Sequence, residues 1–391
     1  MDLTVRLKGL TLKNPLIVTA GEHGRDGETI AKVAGFGPGA ITTKTIAGMP
    51  VPDPRPCYAT MRGGFMNCVM GAVIGADQWF SQEMAIAKSG GVPVIANLAG
   101  TNPAEAADLA RRAEDAGADI IELPTHCPHF AENLEAQFPG LKLPPPEIYD
   151  PEPLFQTVKA VRQAVSLPII VKLSAIYQHA TLDWVKAGID AGMDAVEVAD
   201  TLGPVMAINI ETGQPKMGGP RGFGGISGGA LKPLTLRMVF EIAQTYDIPV
   251  IGSGGVESWR DAVEYFMAGA SMIGACTAGH LRGPAAYRSI IDGLANYLES
   301  HHTTLAEIKG LTLRKVEERK LKGWQEITQA MPPTVIAEKC TACKLCQTCC
   351  IYEAMKVEKT AVIDPVKCYG CNLCVDICPQ RAIESSYYKE A

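Results

Sequence analysis

Two hydrophobic rhythms alternate along the first 300 residues. Short β-branched runs recur at residues 16–20, 40–44, 94–97, 120–123, 169–173, 195–199, 250–253 and 272–274. Unbroken apolar runs of this length, bounded by Gly and Pro, are the pattern of strands buried on both faces. Between most of them the apolar positions recur with helical spacing, at residues 77–89, 103–116, 153–165, 182–191, 234–246 and 258–268. Three of these helices exit through the same small-residue turn, Ala116-Gly117-Ala118, Ala191-Gly192-Met193 and Ala268-Gly269-Ala270. Glycine there suits a left-handed C-cap that feeds the next strand. Eight strand–helix units in about 300 residues favour a closed parallel (β/α)8 barrel over the alternative, an open doubly wound sheet.

Two long segments interrupt the alternation, residues 49–77 after the second strand and 128–153 after the fourth. Both follow strand C-termini, where barrels place their active sites, and long loops in compact domains are often binding elements. The chain therefore divides into a barrel (residues 1–300), a connector (301–334) and a small terminal domain (335–391). Residues 314–322 carry dense mixed charge, the mark of a solvated helix face, and Pro332-Pro333 leads into the last part.

Composition adds exclusions. With 36 Lys and Arg against 42 Asp and Glu, the formal net charge is −6, which lacks the basic footprint of a nucleic-acid binder. No stretch approaches the roughly 20 apolar residues that span a bilayer, and Met1-Asp2-Leu3 opens no charged leader with an apolar run behind it. The expectation is a cytoplasmic protein with no membrane insertion.

The 13 cysteines change the picture most, because nine of them fall between Cys340 and Cys378. Cys340-x2-Cys343-x2-Cys346-x3-Cys350 is repeated, 28 residues later, as Cys368-x2-Cys371-x2-Cys374-x3-Cys378-Pro379. That spacing belongs to two-cluster ferredoxins, in which the fourth cysteine of each run ligates the other cluster. One 4Fe-4S cluster is thus assigned to Cys340, Cys343, Cys346 and Cys378, and the second to Cys368, Cys371, Cys374 and Cys350. Structural zinc prefers two separated pairs. Cys349 lies beside Cys350 and leaves the choice between these two open.

Clusters carry electrons and need a redox partner within the protein. Gly252-Ser253-Gly254-Gly255 and Ile273-Gly274-Ala275-Cys276-Thr277 end the seventh and eighth strands, where many barrels hold a phosphate on backbone N–H groups. Taken alone, such loops serve a cofactor phosphate or a substrate phosphate equally well. Lys44 and Lys172 sit at strand ends. Each reads as a cation beside a flavin, as a lysine paired with a barrel carboxylate, or as a Schiff-base lysine; the last fits poorly with an electron-carrying domain.

On Asn14-Pro15, Ala20-Gly21, Lys44, Cys127-Pro128-His129, Lys172, Gly224-Gly225-Ile226-Ser227-Gly228, Lys232-Pro233, Gly254-Gly255-Val256-Glu257 and both cysteine runs, the chain resembles the dihydroorotate dehydrogenase family. The barrel-plus-ferredoxin layout is similar to that of iron–sulfur dihydropyrimidine dehydrogenases. The resemblance spans nearly the whole chain and is weakest over residues 49–77. It implies an FMN oxidoreductase acting on a CH–CH bond of a small unsaturated substrate. It implies FMN contacts from Ala20, Gly21, Lys44, Lys172, Gly225, Ser227, Gly254, Gly255, Cys276 and Thr277, with Lys44 also serving catalysis. Cys127 is implied as the acid/base, here within His126-Cys127-Pro128-His129, where flanking imidazoles favour a lower thiol pKa.

The substrate pocket departs from the family. Asn67 is retained, whereas Pro124 and Asp200 stand where pyrimidine-binding members carry asparagine, with His129 and Thr201 completing the expected pocket. An ionised carboxylate only accepts hydrogen bonds, and a site built for matched ring contacts rejects analogues strongly. Dihydroorotate and uracil are therefore expected to be poor substrates. No Gly-x-Gly-x-x-Gly follows a strand in a βαβ unit. An external electron partner follows, either an NAD(P)H-oxidising flavoprotein subunit or a ferredoxin, in a homo- or hetero-oligomer. The competing reading is an electron-transfer subunit whose barrel binds flavin without a substrate of its own.

Overall fold

The structure, a computed structural model, describes residues 1–127, 130–138, 140, 142 and 148–388. It divides into two compact units, Met1–Lys315 and Val316–Ala391.

The first unit is the barrel that the alternation predicts. Its strands are β1 (Leu16–Val18), β2 (Ala40–Thr42), β3 (Val94–Asn97), β4 (Ile120–Pro124), β5 (Ile169–Ser174), β6 (Ala195–Asp200), β7 (Val250–Gly252) and β8 (Met272–Ala275). All pair in parallel with their sequence neighbours, and β8 closes onto β1. Helices such as Pro103–Asp115, Glu152–Ala164 and Thr181–Ala191 cover the outside. The three predicted C-cap glycines are left-handed, with φ of 94° at Gly117, 101° at Gly192 and 112° at Gly269.

Side chains in a strand alternate faces, so a barrel interior is built in layers. The lowest layer takes one apolar residue from every strand: Ile17, Ala40, Ile95, Ile120, Ile170, Ala195, Ile251 and Met272. Leu7 and Leu12 of the N-terminal hairpin (Val5–Leu7 with Leu10–Leu12) join that cluster and plug the barrel floor. Two residues further along each strand the character inverts. Thr19, Thr42, Asn97, Glu122, Lys172, Glu197 and Ser253 are all at most 5% exposed. The eighth position is Gly274, where a Cβ would stand 2.5 Å from Thr19 and 2.7 Å from Ser253. The barrel therefore has an oily floor and a polar layer above it, which faces the C-terminal mouth.

The mouth carries a feature that the sequence reading treats only as a long loop. Tyr58–Met61 and Gly64–Asn67 form a hairpin, and with Gly224–Ser227 and Leu202–Val205 they make a four-stranded antiparallel sheet. The two-residue turn Arg62-Gly63 joins its strands, with Gly63 left-handed at φ 71°, a conformation that glycine adopts without steric cost.

The second unit repeats itself in its backbone. Three pairs of residues with positive φ stand 28 apart: Ala342 and Gly370, Lys344 and Asn372, Glu353 and Arg381. Short helices follow the middle pair, Leu345–Thr348 and Leu373–Asp376. Its two strand pairs, Thr334–Val335 with Ile383–Glu384 and Met355–Val357 with Ala361–Ile363, exchange partners in the same way. Residues 311–320 of the expected connector form a helix with no buried residue, as its mixed charge implies. Among the described residues no helix is long and apolar enough to cross a membrane.

Candidate active site

Strand ends deliver most of the expected residues to the barrel mouth. Ala20 and Gly21 follow β1, and a Cβ on Gly21 would stand 2.6 Å from the Cys276 sulfur after β8. Gly254 and Gly255 follow β7 with φ of 88° and 89°. A Cβ on Gly255 would meet the Gly228 carbonyl oxygen at 2.8 Å, so these two backbones approach as only glycine allows. Next to them the Thr277 hydroxyl donates to Ser227 Oγ at 3.1 Å. Gly225 pairs with Asn67 across the antiparallel sheet. Backbone N–H groups, two hydroxyls and close-packed glycines are a donor set that suits a phosphate monoester. The Cys276 thiol is buried, which pushes it up to about 12 and keeps it neutral.

The two lysines differ in a way that sequence could not show. Lys44, on the segment after β2, donates to Glu22 Oε1 at 2.6 Å and to Asp53 Oδ2 at 2.8 Å. Asp53 also accepts from the Met70 N–H at 2.6 Å, so it clips the loop of residues 49–77 to the lysine. Lys172 lies 3.7 Å from a carboxylate oxygen of both Glu197 and Asp200. Both distances exceed a hydrogen bond, so these two carboxylates leave ammonium donors of Lys172 open toward the mouth. Burial alone would lower the pKa of Lys172, but Asp200 and then Glu197 outweigh it and hold the ammonium firmly protonated.

Asp200 is oriented by its own chain, since its Oδ1 accepts the Thr201 N–H at 2.7 Å. Asn67 is half-buried at the end of its strand, and Thr201 and Pro124 are half-buried at the ends of β6 and β4. Cys127 is half-buried at the head of the segment after β4. Thr125 staples the root of that segment, donating from N and from Oγ1 to the Lys172 carbonyl at 3.0 Å each. His129 lies outside the described residues. Two arginines of these segments are paired, Arg25 with Asp26 at 2.8 Å and Arg221 with Glu132 at 2.6 Å.

A cluster at the β1 and β8 rim escaped the sequence reading. The His23 and His280 rings stack at 5.1 Å, His280 stacks on Phe65 at 5.7 Å, and His23 Nδ1 lies 2.7 Å from Tyr287 Oη. Burial, followed by the neighbouring His280, lowers His23 from its ordinary 6.5 to about 4. Burial lowers His280 as well, while Glu22 opposes it. A histidine that binds its proton less tightly when folded contributes stability fully above the unfolded pKa and loses it as pH falls. The denaturation midpoint is thus expected to drop between about pH 6.5 and about 4, and His23→Asn to flatten that drop. Urea titrations of both proteins across this range check it.

In the second unit, Cys340, Cys343, Cys346 and Cys378 line one cavity. The Ala361 N–H reaches Cys340 Sγ at 3.4 Å and the Ala382 N–H reaches Cys378 Sγ at 3.3 Å. Cys374 is pushed up to about 11 by burial first and then by the neighbouring Cys371 and Cys368. Cys350 packs against the same apolar cluster as Cys374 and Cys378. Among the described residues no three His, Cys, Asp or Glu side chains converge on a point that a single metal ion would occupy. The first four thiols instead stand around a space.

Residues 2–298 match the family described as "Dihydroorotate dehydrogenase". The chain belongs to the dihydroorotate dehydrogenase family. Residues 361–384 match a "4Fe-4S binding domain", so this oxidoreductase barrel is followed by an iron–sulfur domain. The catalytic subunit of dihydroorotate dehydrogenase B (NAD(+)) from Methanocella arvoryzae is 37% identical over 319 residues, covering 81% of this chain and 100% of that protein. The subunit of the same name from Pyrococcus furiosus is 35% identical over 316 residues, covering 80% and 99%. That from Methanothermobacter thermautotrophicus is 32% identical over 311 residues, covering 79% and 98%.

Proposed function

We propose that this chain is an FMN-dependent enzyme that interconverts a C–C single and double bond and exchanges electrons with an external partner through two 4Fe-4S clusters. The observation that carries the reading is the glycine-built cradle of Gly228, Gly254 and Gly255 beside Ser227 and Thr277, within a barrel of this family whose strand ends also carry the Lys172 ammonium.

Ser227, Thr277 and the backbone of Gly254 and Gly255 would hold the FMN phosphate, and Ala20, Gly21, Gly225 and Cys276 its ring system. Bound FMN supplies two-electron exchange with a carbon–carbon bond and one-electron exchange with iron–sulfur clusters. Lys172, held by Glu197 and Asp200, would supply a fixed positive charge to bound FMN. Lys44, clamped by Glu22 and Asp53, fixes the loop of residues 49–77 over the mouth. Cys127 holds or delivers the proton at the substrate carbon, a task for a group of tunable pKa at hydrogen-bond reach. Cys340, Cys343, Cys346 and Cys378 take one cluster, supported by their common cavity. Cys368, Cys371, Cys374 and Cys350 take the other, supported by the 28-residue backbone repeat. The relatives' designation as catalytic subunits supports a separate electron-transfer partner.

The substrate reading is that standard pyrimidines are handled poorly. Pro124 offers no side-chain donor, Asp200 only accepts, and Lys44 is already engaged by two carboxylates. The activity for which the relatives are named supports dihydroorotate as a second reading. Steady-state assays with dihydroorotate, dihydrouracil and uracil separate the two: turnover well below about 10 per second, a typical enzyme rate, is expected for all three, and a rate near that value for any one overturns the first. Anaerobic mixing of the reduced protein with conjugated acids, thioesters and heterocycles then tests the class. Reoxidation by at least one of them is expected, and reoxidation by redox proteins alone would make the barrel an electron-transfer module.

A further inference from the structure

The polar layer of the barrel holds a set of unsatisfied atoms that the proposed reaction does not use. Thr42 Oγ1, Asn97 Oδ1, Glu122 Oε2 and Glu197 Oε2 are buried side-chain atoms without a hydrogen-bond partner, and all four belong to this one layer. Glu122 and Glu197 are 0% exposed. Each has one carboxylate oxygen served and one left over. Glu122 Oε1 accepts from Asn97 Nδ2 at 2.5 Å. Glu197 Oε1 accepts from Ser253 Oγ at 3.0 Å and lies 3.7 Å from the Lys172 ammonium. Both carboxyl groups sit in this one closed layer, on either side of the Lys172 strand, and each leaves its Oε2 unserved.

Two ionised carboxylates cannot satisfy one another, because both only accept. Buried as they are, they would repel, and each would keep an unpaired oxygen. A buried polar atom left without a partner is destabilising, and more so where it is charged. One proton resolves both vacancies, since it turns one acid into a donor and the other into its acceptor. We propose that Glu122 and Glu197 share a single proton inside the barrel, which makes Glu122 the positioning residue that holds Glu197, and through it Lys172, beneath the cofactor site.

The surrounding charges agree. The groups that act on the pair are Asn97 on β3, Lys172 on β5 and Ser253 after β7, with Asp200 of β6 on the far side of Lys172 and the neutral Cys276 thiol after β8 near Glu197. Lys172 is the one cation among them, and Asp200 already takes part of its charge. A third full negative charge at Glu122 would have no counterion. Burial first, and then Glu197, holds the Glu122 carboxyl well above the usual range. The arrangement leaves Lys172 between two carboxylates and keeps its remaining donors aimed at the mouth.

Infrared spectroscopy of the intact protein at about pH 8, where exposed carboxyl groups are ionised, tests this without reference to any substrate. A carboxylic-acid C=O stretch is expected in the wild type and is lost in Glu122→Gln. The amide of that variant still donates a hydrogen bond, so it keeps flavin content and denaturation midpoint close to wild type, whereas Glu122→Ala lowers both. An ordered water bridging two ionised carboxylates would leave no acid band in the wild type, and that spectrum alone would overturn the proposal. So would a band that survives in Glu122→Gln, or a Gln variant as unstable as the Ala variant.

Discussion

Cys127→Ala lowers turnover of any CH–CH substrate by about 10²–10⁴-fold, the usual contribution of a positioned general acid or base. Flavin and iron content stay unchanged, because Cys127 stands on the segment after β4, away from the glycine cradle and outside the cysteine-rich unit. Cys127→Ser falls between the two, since a hydroxyl keeps the geometry and gives up the acidity. Rapid-reaction measurement separates the effects: the step with the carbon substrate slows, and electron exchange with a dye or ferredoxin keeps its rate. If both steps were untouched, the barrel would carry no substrate chemistry at that position.

The second large effect concerns stability. Lys172→Met removes the cation that Glu197 and Asp200 share while leaving Glu197 wholly buried. Breaking a buried pair from one side costs about 3–5 kcal/mol, because the remaining buried carboxylate loses its counterion. Unfolding followed through the buried Trp79 and Trp184 reports the barrel unit. The midpoint is expected to fall steeply in Lys172→Met, and flavin occupancy to fall with it. Adding Glu197→Gln recovers most of the stability and little of the flavin, because charge balance returns while the ammonium at the ring does not. Equal loss in the single and double variants would mean that the lysine contributes by packing alone.

Much of this architecture was legible in the chain. β-branched runs such as Ile169–Ser174 are buried on both faces, so they stand out against amphipathic helices, and Gly117, Gly192 and Gly269 mark the turns between them. The cysteine runs were legible for a simpler reason, since cubane ligation imposes spacing on sequence directly. The polar layer was hidden. Asn97, Glu122, Lys172 and Glu197 each stand two residues beyond an apolar floor residue, and a reading by hydrophobic runs sees only an interruption. A period-two reading of each strand would have exposed the switch from floor to polar layer. The hairpin over the mouth was hidden by its neighbours. Its strands are short and flanked by Pro, Gly and Met, and only Arg62-Gly63 announced the turn. The carboxylates Glu22 and Asp53 gave no signal at all, because their role comes from a lysine brought to them by the fold.

Anaerobic purification followed by visible spectroscopy, flavin extraction and iron determination tests the central claim most directly. One FMN and about eight irons per chain are expected, the count for a flavin site and two cubane clusters. A preparation that carries out its native reaction with no flavin, or with a single zinc in place of iron, would contradict the account.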